Sequence, residues 1–102
     1  MLVLEASNFK NETANGAVFV DFWSVGCGPC RMMEPTLKAL NEKMPDIKFA
    51  KIEASDGGDV FSNYGITHVP TFVLLKEGKE VGRRSGLMSV SDAEKWITEK
   101  LK

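Results

Sequence analysis

Cys27 and Cys30 are the only cysteines among 102 residues, and Gly28 and Pro29 separate them. Two thiols three positions apart at a helix start can close a disulfide with little backbone movement. The unpaired N–H groups of a first turn also favour the first sulfur as a thiolate. Pro29 suits such a turn, because its missing N–H has no helical partner to lose. The pair follows the apolar run 17–23 and precedes a helical pattern. Strand, CxxC and helix in a short chain point to thiol–disulfide redox chemistry.

Two plainer readings compete. A structural cross-link over so short a loop gains only about 2 kcal/mol from chain entropy. A zinc or iron–sulfur site normally takes four ligands, and the chain offers two thiols and one histidine, His68. Dithiol chemistry is the stronger reading. In it Cys27, nearest the helix start, is the attacking thiolate and Cys30, one turn later and more shielded, is the resolving thiol.

Asp21 is the one charged residue inside 17–23. Apolar neighbours on both sides favour a buried carboxylic acid behind the cysteines, with a raised pKa. A carboxylate in water at a frayed strand end is the alternative. Lys51 is either its neighbour on an adjacent strand or an ordinary solvated lysine. Val69-Pro70 reads first as a proline opening a strand. Arg31 and His68 read as exposed residues, and Trp96 as helix packing.

The elements that must position these groups follow from periodicity. Leu2 to Leu4 forms a short strand, and Ser7 caps a helix through Ala14 that Asn15-Gly16 ends. Residues 17–23 are apolar on both faces apart from Asp21, as in a central strand covered on both sides. A helix is expected from about Pro29 to Met44, with Met33, Leu37, Leu40 and Met44 on its buried face and a bend at Pro35. Residues 47–53 alternate as a third strand. A loop at 55–58 leads to a short helix from about Asp59 to Tyr64, stopped by Gly65. Residues 71–76 and 79–85 flank Glu77-Gly78 as a hairpin. Ser89 or Ser91 caps a last helix with Val90, Ala93, Ile97 and Leu101 inward. This order gives an α/β fold, a central mixed β-sheet flanked by helices on both faces.

Composition narrows the field of functions. The chain has 43% apolar and 26% charged residues and a net charge of −1, as expected of one small globular domain spanning 1–102. No basic stripe marks a nucleic-acid partner. No apolar stretch is long enough for a membrane span, and the amino terminus lacks a signal-peptide pattern. A cytoplasmic protein is expected. Structural disulfides are rare in that compartment, which favours the catalytic reading of the cysteine pair. No glycine-rich nucleotide loop is present, so no cofactor is expected.

At this point the chain resembles a thioredoxin. Phe19-Val20-Asp21-Phe22-Trp23 followed by Cys27-Gly28-Pro29-Cys30-Arg31-Met32 is similar to the family's active-site segment. Pro35 falls at the family's helix bend, Lys51 on its strand lysine, and Gly65 to Thr71 on the segment carrying its cis-proline. Lys76-Glu77-Gly78-Lys79 and Ser85-Gly86 match the later hairpin turn and the glycine facing the active site. The match spans nearly the whole chain and needs no gap between Asp21 and Tyr64.

The resemblance implies a thioredoxin fold and reduction of disulfides in protein substrates by a monomer that a thioredoxin reductase, or a dedicated equivalent, re-reduces. It implies that Asp21 shuttles a proton to or from Cys30 beside Lys51. It also implies a cis bond at Pro70, with the Val69 backbone free to pair with a bound substrate strand. Gly26, Gly28, Pro29, Val69, Pro70 and Gly86 are then the positions a substrate meets. The alternative is a thioredoxin-like binding module with little turnover. Two residues depart from the pattern. Gly26 stands where most thioredoxins carry Trp, which bears on partner choice. Ser55 stands where Asp is usual, and is expected to cap the following segment.

Overall fold

The computed structural model describes residues Met1 to Lys102. In chain order the elements are β1 (Leu2–Leu4), α1 (Phe9–Glu12), β2 (Ala17–Trp23), α2 (Gly28–Met32) and α3 (Glu34–Lys43). They continue with β3 (Lys48–Glu53), α4 (Val60–Asn63), β4 (Thr71–Lys76), β5 (Lys79–Ser85) and α5 (Val90–Lys100). The strands form one sheet in the order β1-β3-β2-β4-β5. β3 runs parallel to β1 and β2, whereas β4 is antiparallel to β2 and β5 to β4. The mixed α/β sheet expected from the sequence is present.

Strand alternation sorts the side chains onto two faces. On one, Phe19, Phe49, Phe72 and Leu74 pack with Met33, Leu37 and Leu40 of the α2–α3 segment and with Ala93 and Ile97 of α5. On the other, Val18, Val20, Phe22, Ala50, Ile52, Val73 and Leu75 pack with Leu4, Phe9 and Val60. Both faces of β2 are covered, which explains its nearly unbroken apolar run. Trp96 closes edge-on over Phe19 at 6.4 Å, so it is a packing residue as expected.

The helix expected over 29–44 is two helices. Met33 ends α2 and also serves as the N-cap of α3, with Pro35 in the first turn of α3. Pro35 has no N–H for the Arg31 carbonyl, and its ring crowds that oxygen. The ladder resumes with Leu37 N–H donating to Met33 O at 2.9 Å. Proline therefore breaks the helix here instead of bending it. Met33, Leu37, Leu40 and Met44 still share the buried face.

Ser7 does not cap α1. Its hydroxyl donates to Glu5 Oε1 at 2.8 Å, and Asn8, the N-cap residue, accepts the Glu5 N–H at 2.8 Å. Those bonds tie the preceding turn, and α1 shortens to four residues. β3 starts at Lys48, because Ile47 N–H still donates to Met44 O. Ser55 does not cap the following segment either. Its hydroxyl and N–H both donate back to the Glu53 carboxylate, which lowers the pKa of that group.

At the hairpin, Glu77 and Gly78 both have positive φ, 51° and 80°, the twist that a two-residue turn between antiparallel strands requires. Glu77 is held there by Gly16: the Glu77 N–H donates to Gly16 O, and Gly16 N–H donates to Glu77 Oε1, each at 3.0 Å. The last helix takes Ser89 as its cap, with Ser89 Oγ accepting the Asp92 N–H at 3.1 Å. We expect Ser89→Ala to lower stability by about 1 kcal/mol, read as a shift in the denaturant midpoint at unchanged slope. No helix is long and apolar enough to cross a membrane.

Candidate active site

The end of β2 delivers the two cysteines to one short turn. Cys27 is extended (φ −96°, ψ 107°) and is the N-cap of α2, and its Sγ accepts the Cys30 N–H at 3.1 Å. The residues between bring the two Cα atoms to 5.3 Å, and the sulfurs are joined as a disulfide. Cys27 is 9% exposed and Cys30 3%, so both are shielded and Cys27 is the more open. Arg31 is exposed and has a defined contact: its Nη2 donates to Val25 O at 2.6 Å, pinning the turn just before Gly26 and Cys27.

Asp21 faces the α2–α3 side, because it lies two residues from Phe19 on the same strand. It is 4% exposed, and its Oδ1 has no hydrogen-bond partner. The frayed-end alternative is therefore excluded. Burial pushes its pKa up to about 7, against the pull of the Lys51 ammonium and with a further push from Glu34. Lys51 is the register partner of Asp21 on β3. It is half-buried, with its Nζ 5.3 Å from the centroid of the Trp23 ring. The ion pairs of the structure lie elsewhere, at Lys43–Glu94, Lys48–Glu12 and Arg83–Glu80. A cleft of about 340 Å³ opens beside these groups, and Asp21, Trp23, Cys30, Glu34 and Lys51 line it. Cys30 thus shares a solvent-connected space with the buried acid.

The Val69-Pro70 bond is cis. Pro70 precedes Thr71, the register partner of Phe22, so it lies at the same end of the sheet as the β2–α2 turn. Gly86 (φ 85°) donates its N–H to Pro70 O at 3.0 Å, joining those two positions. Neither the N–H nor the carbonyl of Val69 pairs with another backbone group. His68 is exposed, and its ring nitrogen meets only Thr67 Oγ1, at 2.9 Å. Gly26 and Gly28 have open space where a Cβ would stand.

Comparison with known proteins agrees with this geometry. The thioredoxin family model matches residues 1–99. The chain belongs to the thioredoxin family. A thioredoxin of Chlamydia trachomatis is 34% identical over 97 residues, covering 95% of each chain. A thioredoxin of Bacillus subtilis is 37% identical over 84 residues, covering 79% of this chain and 81% of the relative. Among solved structures, oxidised mitochondrial thioredoxin 3 of Saccharomyces cerevisiae superposes with a TM-score of 0.88 at 33% identity, over 97% of this chain and 94% of that one. The thioredoxin of Fasciola hepatica gives 0.85 at 35%, over 98% and 99%. With the paired cysteines, these likenesses make the protein a thiol–disulfide oxidoreductase, a disulfide reductase of the thioredoxin type.

Two features of this thioredoxin-family site escaped the sequence reading. Glu34 lines the Asp21 cleft, and its only signal was its spacing four residues after Cys30. Thr71 is 3% exposed, and its hydroxyl bridges His68 O (2.7 Å) and Ser85 Oγ (3.0 Å), fixing the turn around Pro70. A hydroxyl inside an apolar strand was the available signal.

Proposed function

We propose that the protein reduces disulfides in protein substrates with Cys27 as nucleophile, Cys30 as resolving thiol and Asp21 as proton carrier. One observation carries this assignment: Cys30 and Asp21 share the inner cleft, while Cys27 caps the short helix as the more open sulfur. The Cys27 thiolate attacks one sulfur of the substrate disulfide, forming a mixed disulfide and expelling the first substrate thiolate. Asp21, as carboxylate, takes the proton of Cys30. The Cys30 thiolate then attacks Cys27 Sγ, closing the internal disulfide and expelling the second substrate thiolate. The two thiolates take up two protons, one released by Cys27 on ionisation and one returned from Asp21 through water in the cleft. The two electrons come from the dithiol, and a separate reductase restores them.

The unpaired Val69 backbone supports strand-like pairing with a substrate segment beside Pro70 and Gly86. Gly26, Gly28 and Pro29 supply the other wall. In this reading Lys51 acts on Asp21 through its charge. One domain spans residues 1–102, and the protein works as a cytoplasmic monomer. Multiple turnover of a protein disulfide under a chemical reductant tests the function. Stoichiometric binding without turnover would leave only a docking module.

Gly26 bears on the donor. Its φ is not positive, and nothing lies within 4 Å of the Cβ position, so the backbone does not require glycine. An indole there would offer a flat apolar contact to a partner. We expect Gly26→Trp to change stability by less than about 0.5 kcal/mol and to leave turnover with a chemical reductant unchanged. It should raise the rate with a generic bacterial thioredoxin reductase severalfold. Equal rates for the two proteins with that reductase would show that Gly26 does not select the donor.

A further inference from the structure

The cleft behind the disulfide holds a second carboxylate that no motif singled out. Glu34 is the first residue of α3, placed there because the helix breaks ahead of Pro35. It is exposed, yet it lines the cleft together with Asp21, Cys30 and Lys51. Asp21 Oδ1 is buried and unpaired; burial is the largest influence on its proton, and charge acting across the cleft comes second. The charged and titratable groups around that cleft come from several elements. β3 supplies Lys51, α3 supplies Glu34 and Lys38, α2 supplies Cys30, and Met1 lies beside β1. β4 places Phe72 opposite Asp21 and adds no charge. Of these groups, the Lys51 ammonium pulls the Asp21 pKa down and the Glu34 carboxylate pushes it up.

We propose that Glu34 is a positioning residue for the proton step, its carboxylate offsetting the Lys51 ammonium across the cleft that both share with Asp21 and Cys30. The inference rests on the reading of Asp21 as the proton carrier. With Lys51 unopposed, Asp21 would stay ionised over a wider range and be a weaker base toward a thiol. With both charges present, the acid accepts the Cys30 proton in one step and returns it to water in the next.

Carboxyl-carbon NMR titration of Asp21 in the oxidised full chain tests the proposal without reference to activity. Glu34→Gln should lower the Asp21 midpoint by about half a pH unit, a size set by a partly screened like charge. Glu34→Asp should keep most of the wild-type value, and Lys51→Gln should raise it. The Glu34→Gln/Lys51→Gln double variant should fall back toward wild type. The Glu34→Gln difference should also narrow at about 1 M salt, where screening reaches only a few ångströms. The acid limb of the rate at which Cys30 resolves a mixed disulfide should move with the NMR midpoint. An unchanged or raised midpoint in Glu34→Gln overturns the proposal. A midpoint that shifts as stated, while Asp21→Asn resolves mixed disulfides at the wild-type rate, keeps the Glu34–Asp21 coupling and rejects Asp21 as proton carrier.

Discussion

Replacing Cys27 by serine should abolish disulfide reduction, whereas replacing Cys30 by serine should leave a protein that attacks once and stops. The two outcomes differ because the two sulfurs stand differently. Cys27 is the cap residue, and its sulfur receives the Cys30 N–H. Cys30 lies inside the turn and faces the cleft with Asp21. A bulky disulfide should meet the first sulfur, the more open of the two, before the second. The Cys30→Ser protein should therefore accumulate mixed disulfides through Cys27, detected as adducts by mass spectrometry of alkylated digests. Adducts on Cys30 in the Cys27→Ser protein, with none on Cys27 in the converse variant, would reverse the order of attack.

Asp21→Asn should slow resolution of the mixed disulfide by roughly 100-fold or more, the usual worth of a positioned proton carrier. It should also change how stability depends on pH. The folded-state pKa of about 7 lies above the ordinary aspartate value of 3.8. Below pH 4 the group is neutral in both states and carries no ionisation cost. Between pH 4 and 7 the unfolded chain releases its proton while the folded chain holds it, so the wild type loses stability as pH rises. The loss levels off above pH 7. Asparagine does not titrate, so the stability difference should move in favour of the variant across that window. At about 1.4 kcal/mol per pH unit, the total change is on the order of 4 kcal/mol. Denaturant midpoints from pH 4 to 8 measure it. A difference that stays flat, or moves in favour of the wild type, would mean that burial does not raise the Asp21 pKa.

The strands and the site residues were legible in the sequence because each was marked by a contrast. Asp21 stood out as a charge in an apolar run, and both faces of β2 are in fact covered. The cysteines stood out through their spacing. The cis bond at Pro70 was visible only through resemblance, since no local pattern separates it from a proline opening a strand. The helix ends were read less well. Ser7 looked like a cap by type, but Glu5 claimed its hydroxyl, and Ser55 turned back to Glu53 in the same way. Propensity names the residue able to cap; a neighbouring carboxylate decides whether it does. Glu34 was missed for a different reason. Its importance depends on a register between α3 and β2 that only the folded chain defines.

The helix break at Met33 has a consequence for communication within the molecule. α2 is a five-residue segment set off from α3 at Met33, and Pro35 supplies no N–H to the ladder across that junction. The disulfide lies wholly at that short segment, while the ten-residue α3 is anchored by Leu37 and Leu40 in the core. Reduction should therefore leave almost all of the outer shape unchanged. A partner that must tell a charged carrier from a spent one has to read the few residues from Val25 to Met32. Recognition of redox state and recognition of the protein are for that reason separable tasks, and partners that ignore the first can still perform the second.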